Sequence, residues 1–134
     1  MKLSFLNEIT SFITFLALVT VISAYKNVNG EDLARCSTKG MALTGYTRSG
    51  SCVDQNDDAG SHHICINLAS TNGGNFCTVT GQPNWCGSSM RCNDGTGQCP
   101  VRNWCVCQWA YARFLSQDHM TCDSLELKCE AVTW

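Results

Sequence analysis

Charge is scarce in these 134 residues, and so are long apolar runs. Only 15% of the chain is Asp, Glu, Lys or Arg and the net charge is −2, so the positive surface that nucleic acid or anionic lipid requires is missing. Beyond residue 24 no apolar stretch approaches the ~20 residues that span a bilayer, so no membrane span is expected there. The sequence has no heptad and no internal repeat, which excludes coiled-coil and solenoid architectures. Also missing are an Asn-x-Ser/Thr sequon, a nucleophile elbow, a phosphate loop and a His-Glu-x-x-His helix. The glycosylation, hydrolase, nucleotide and zinc-protease readings that rest on those motifs have no footing here.

What the chain has in quantity is cysteine: 11 residues, at 36, 52, 65, 77, 86, 92, 99, 105, 107, 122 and 129. All lie beyond an N-terminal segment with its own character. Lys2 precedes an apolar run from Ile9 to Ile22 whose polar residues are only Thr and Ser, and the small pair Ser23-Ala24 follows. These are the parts of a signal peptide, residues 1–24 with cleavage after Ala24, leaving residues 25–134 as a single cysteine-rich domain. The plainer alternative, an uncleaved anchor, suffers from the short run and from Glu8 at its head. An exported chain with this cysteine density is expected to be secreted and held by disulfides, each contributing about 2–4 kcal/mol. The count is odd, so at least one thiol is free, metal-bound or in an intermolecular disulfide with another chain.

Turn signals punctuate the rest: Lys39-Gly40, Ser49-Gly50, Asn72-Gly73-Gly74, Gly81-Gln82-Pro83 and Asn93 to Gly97. Short apolar segments separate them, at Met41 to Tyr46, Ile64 to Ala69, Val101 to Trp109 and Leu125 to Trp134, and three of these read as strands. In the second, Ile64, Ile66 and Leu68 share one face by period-two alternation while Cys65 points the other way. Gln108 to Leu115 reads as a helix with a stripe of Trp109, Ala112 and Leu115, broadened by Tyr111 and Phe114. Asn75 to Pro100 has almost no periodicity and reads as a cross-linked loop excursion. The fold expected is therefore α+β: a small disulfide-rich domain of short, mainly antiparallel strands with one helix near the C-terminal third.

Two blocks carry a family resemblance. The first contains Asn27-Val28-Asn29-Gly30, Cys36-Ser37-Thr38, Leu43-Thr44-Gly45-Tyr46, Arg48, Gly50-Ser51-Cys52 and Asp58-Ala59-Gly60-Ser61-His62-His63-Ile64-Cys65. The second is Asn103-Trp104-Cys105-Val106-Cys107-Gln108-Trp109. Together they resemble the uncharacterised family known as domain of unknown function 2237, which brings no established activity. The resemblance implies that Cys36, Cys52, Cys65, Cys105 and Cys107 are the family's cysteines and His62 its histidine. The other six, at 77, 86, 92, 99, 122 and 129, then look like additions forming three disulfides, with the odd thiol in the family set. This chain departs from the pattern at Ser51-Cys52, where a Cys-Cys doublet is common, and in the insert from Asn75 to Pro100.

Few side chains are positioned by sequence alone to carry chemistry. Cys105-Val106-Cys107 on a strand puts two thiols on one face, where direct pairing is strained. Three readings are open: each bonds a separate partner, both chelate a metal, or they cycle as a redox pair. Trp104 and Trp109 beside them are expected in the core. His62, with Cys36, Cys52, Cys65, Cys105 and Cys107, offers sulfur and nitrogen ligands for zinc or copper. The plainer reading makes His62 a turn residue bonded to a backbone group, and His63 a surface residue. Asp54, Asn56, Asp57 and Asp58 fail the calcium-loop pattern, because Ala59 stands where Gly is required and Cys65 where Glu is required, so they read as a solvated acidic turn. The functional expectation is a secreted, non-enzymatic binding or structural module with no cofactor, its recognition residues sought at Gln82, Trp85 and Arg91 in the insert. A metal protein and a thiol-dependent enzyme built on His62 and the free cysteine are the alternatives.

Overall fold

A computed structural model describes residues 25–68, 76–117 and 124–133; the expected signal peptide and Cys122 lie outside them. The regular elements are β1 (Ile64–Asn67), α1 (Phe76–Thr80), β2 (Ser89–Arg91), β3 (Gln98–Pro100), β4 (Asn103–Val106), α2 (Gln108–Leu115) and β5 (Glu126–Leu127), and a 3-10 turn follows at Cys129–Ala131. The architecture is α+β and disulfide-rich, with every strand pairing antiparallel. Among the described residues no helix is long and apolar enough to cross a membrane.

The organising unit is the β1–β4 ribbon, with β5 on the other edge of β1. Its register sets Ile64 opposite Val106, Cys65 opposite Cys105 and Ile66 opposite Trp104. Because side chains alternate across a strand, the cysteines and the apolar residues separate onto opposite faces. Ile66, Trp104 and Val106 enter an apolar core with Phe76, Phe114, Val101, Leu125 and Ala42. On the other face Cys65 and Cys105 join Cys36, Cys52, Ala131 and Val132 in a second, sulfur-rich core. Both faces are thus covered, which three short strands could not achieve with apolar side chains on one side alone.

Four disulfides occur among the described residues: Cys36–Cys65, Cys52–Cys105, Cys77–Cys86 and Cys92–Cys99. Cys65 and Cys105 face each other across the ladder yet each bonds a loop cysteine, which fastens the irregular segment from residue 25 to 63 onto the ribbon. Hydrogen bonds set its path. The backbone N–H groups of Cys36 and Ser37 both donate to the Gly50 carbonyl, and that of Gly50 donates to the Thr44 carbonyl. The buried Thr44 hydroxyl accepts from the Cys105 N–H at 2.8 Å. Gly50 sits at φ +84°, and a Cβ there would collide with Arg35 and approach Asn93 Oδ1. Its freedom to adopt that conformation is what the turn uses.

Two expectations need correction. The insert is cross-linked as expected, by its own two disulfides, but it is not all loop: it contains α1 and the β2–β3 hairpin. Helix α2 has the expected bounds but a different inner face. Phe114 is buried, Ala110, Tyr111 and Leu115 pack against the core, and Ala112 is exposed. Trp109, expected inside, is 65% exposed. The cause is tertiary: α2 packs on α1, and Phe76 stacks on Phe114 with ring centroids 5.5 Å apart. Of the three bridges expected among the added cysteines, Cys77–Cys86 and Cys92–Cys99 form; the third would join Cys129, free among the described residues, to Cys122, which lies outside them.

Candidate functional site

The ladder ends at Ile64 and Val106, so the residues just beyond, His62 and Cys107, leave the ribbon at the same end. The Gln108 N–H donating to the Ser61 carbonyl at 3.3 Å holds the two chains together there. Helix α2 starts at this point with no side chain capping its first N–H groups. Over this end lie the loop from Gly45 to Ser51 and the turn from Asp58 to Ser61.

Asp58 is the centre of the turn. Its side chain is 1% exposed and accepts from the Gly60 N–H at 3.0 Å, the His62 N–H at 2.8 Å and the His62 ring Nδ1 at 2.7 Å. Burial alone would raise the carboxyl's pKa; the backbone and ring bonds from His62, the imidazole's charge and the Gly60 bond outweigh it and hold the group below the ordinary carboxylate range. An ionised carboxylate only accepts, so Nδ1 carries the proton, and when the ring is neutral Nε2 is its open acceptor. Among the described residues Nε2 has no hydrogen-bond partner. Tyr46 stacks on the imidazole with centroids 6.1 Å apart, and its hydroxyl donates to the Asp57 carbonyl.

Arg48 stands opposite. Its φ is +55°, and Ser61, beside His62, has φ +46°. These are the two non-glycine residues with positive φ among those described; Arg48 lines the cleft and Ser61 directly precedes His62, which also lines it. Such residues cost on the order of 1–3 kcal/mol each and collect at functional sites. The Arg48 guanidinium carbon lies 5.0 Å from the centre of the Trp104 ring, a cation–π contact. No carboxylate pairs with it among the described residues.

The insert supplies the far wall. Trp85 packs on Trp104 at 5.7 Å between centroids, its Nε1–H donates to Gln82 Oε1 at 3.2 Å, and Gln82 in turn donates to the Thr80 hydroxyl. Two adjoining cavities of about 280 and 330 Å³ result, sharing Arg48, His62, Trp104 and Cys105; Cys107 and Trp85 line the first, Tyr46 the second. No acidic side chain lines either. Another hollow of about 280 Å³, beside Tyr25, Leu33 and Val53, has no Asp, Glu, Lys, Arg or His in its wall.

The structure therefore divides the residues singled out from sequence. His62 and Cys107 meet in the cleft. Cys36, Cys52 and Cys65 meet in the sulfur-rich core, their Sγ atoms all within 4.8 Å of one another, but they are bonded in the Cys36–Cys65 and Cys52–Cys105 bridges. Cys105 contributes to both neighbourhoods; Cys107, of the family set, has a free, half-buried thiol, and Cys129, outside that set, has an exposed one. His62 bonds a carboxylate rather than a backbone group, Asp58 is buried rather than solvated, and His63 is half-buried with an unpartnered Nδ1. In the insert, Gln82 and Trp85 are partly buried cleft residues, while Arg91 is exposed. Sequence reasoning missed Asp58, Arg48 and Tyr46. The i, i+4 spacing of Asp58 and His62 was the available signal for the first pair; nothing local announced the backbone of Arg48.

Fold and site together define a small disulfide-bonded domain with a cleft carrying an uncompensated cation, an oriented imidazole and a free thiol. Residues 26–129 match the model of domain of unknown function 2237, described as an uncharacterised protein conserved in bacteria, and the chain belongs to that family. No curated protein matches it.

Proposed function

We propose that the protein is a secreted binding module whose cleft takes a small organic anion. One observation carries the reading: Arg48, unpaired and held over Trp104, shares a cavity with His62 and no acidic side chain. Arg48 is exposed, so its guanidinium is open to a ligand carboxylate or similar group, which it would hold by charge-assisted hydrogen bonds. Arg48 and His62 would take the anionic group, and Trp85, Trp104 and Met90 the apolar body. Strain at Arg48 and Ser61 fits a site shaped before its ligand arrives. Export is supported by the signal-like N-terminus and by the four bridges, which persist in oxidising compartments.

The test is a panel of small carboxylates beside their neutral amides, followed by tryptophan fluorescence and calorimetry. The acids should bind and the amides should not. Arg48→Gln should weaken binding roughly tenfold to a hundredfold, the equivalent of losing charge-assisted hydrogen bonds of about 1.5–3 kcal/mol. Amides binding as well as acids, or no binding by any member, would refute the reading.

A second reading has its own observation. The three clustered sulfurs of Cys36, Cys52 and Cys65 suit a soft metal such as zinc or copper if reduced. As disulfides they offer no thiolate, and His62 and Cys107 stand apart from that group.

A further inference from the structure

The binding reading does not use the Cys107 thiol, although Cys107 lines the cavity that holds Arg48 and His62. Two thiols are free among the described residues, and they differ in a way that isolates what the cleft adds. Cys129 is exposed on the 3-10 turn between Lys128 and Glu130, away from any of the groups just described. Cys107 is half-buried and lines one cavity with an unpaired guanidinium and an imidazole whose Nδ1 is committed to Asp58 and whose Nε2 is free among the described residues. A cavity that combines a thiol, an open basic nitrogen and a cation, bounded by Trp85 and Trp104, is matched by a ligand that brings an anion and an electrophilic sulfur.

We infer that the cleft captures small anionic disulfides covalently, through Cys107. This rests on the proposed function and specifies its ligand class: an organic anion that carries a disulfide. Arg48 receives the ligand's carboxylate. His62 Nε2 takes the Cys107 proton, and the Cys107 sulfur attacks one sulfur of R–S–S–R. The ligand's S–S bond breaks as the Cys107–S–S–R bond forms, and R–S⁻ leaves with the proton held by His62. One disulfide is exchanged for another, so no outside oxidant or reductant is consumed. Asp58 touches neither partner; it is a positioning residue that keeps Nδ1 protonated and Nε2 available. Trp85 and Trp104 pack against the body of R.

The experiment treats the folded, non-reduced protein with oxidised glutathione, an anionic disulfide, and in parallel with cystamine, a cationic one. Adducts are followed by intact mass and located by peptide mapping at both Cys107 and Cys129. Cys107 should react with the anionic reagent at least about tenfold faster than with the cationic one, while Cys129 shows no such preference. Arg48→Gln should remove the preference at Cys107 while leaving the rate at Cys129 unchanged, and Cys107→Ser should lose the cleft adduct. Cys107 reacting no faster with the anionic reagent, or a preference that survives Arg48→Gln, overturns the inference. S-methylglutathione, an anion that cannot exchange, separates the two levels. If it binds while Cys107 forms no adduct, covalent capture fails and the binding module stands. If neither occurs, both are wrong.

Discussion

The bridge most worth removing is Cys52–Cys105. It closes 53 residues, whereas Cys77–Cys86 closes 9. If a disulfide acts chiefly by restricting the unfolded chain, the longer loop corresponds to about 4 kcal/mol and the shorter to about 2.5. Cys52, Cys105 and Cys77 are buried and Cys86 is half-buried, so the packing lost with the sulfurs differs little and the loop term should decide the order. A domain of this size has about 5–15 kcal/mol of net stability, so losing the long bridge brings it close to the margin. The comparison is Cys52→Ala with Cys105→Ala against Cys77→Ala with Cys86→Ala. Urea unfolding at 25 °C is followed by tryptophan fluorescence, with the remaining free thiols alkylated beforehand to prevent reshuffling. The first pair should be less stable than the second by about 1.5 kcal/mol, roughly 6–10 °C in Tm. Equal costs, or the short bridge costing more, would refute the entropic account and place the effect of these bridges in the native state.

Two further outcomes follow from the same geometry. Asp58→Asn should lower stability by about 1–3 kcal/mol, because the amide must turn its NH₂ toward a group that now donates to the carboxylate. Since folding lowers the Asp58 pKa, its contribution is present above the unfolded value near 3.8 and is lost as pH falls through the folded one; the gap between wild type and Asp58→Asn in urea melts should therefore close in acid, and a gap that widens below pH 4 contradicts the linkage. For the metal reading, chelator should lower the Tm of non-reduced protein without changing its disulfide count, and an unchanged Tm would sink it.

The parts of the fold that could be read from sequence are those in which local pattern and tertiary environment agree. Ile64, Ile66 and Cys65 alternate in the chain and alternate between two cores in the structure. The bounds of α2 came out of the three-residue recurrence of its apolar residues, but its inner face did not. Spacing put Trp109 inside, whereas the partner surface is α1, a five-residue helix too short to leave a period of its own. The β2–β3 hairpin was half visible: Asn93 to Gly97 announced a turn, while Ser89-Met90-Arg91 and Gln98-Cys99-Pro100 lack the alternation that marks strands. Among the site residues, His62 and Cys107 were chosen for their chemistry, and both reached the cleft. Arg48 was recognised only as part of a motif, because what sets it apart is a backbone conformation that arginine does not prefer.

That failure is itself informative about how the cleft is held. Local consistency breaks at Arg48, Ser61 and the buried Asp58, which is where a site rather than a core is expected to break it. A domain of this size has little apolar core with which to hold strained loops in place. Here the loops bearing Gly45 to Ser51 and Asp58 to Ser61 lie within the span of Cys36–Cys65, and Cys52 between them is tied to Cys105 beneath the cleft. The two long bridges therefore do more than add stability. They fix both strained segments to the one ribbon from which Trp104 and Cys107 also project. Loss of Cys52–Cys105 should accordingly release Arg48 from Trp104 and weaken anion binding even at temperatures where the domain stays folded, while loss of Cys92–Cys99, outside the cleft wall, should leave binding intact.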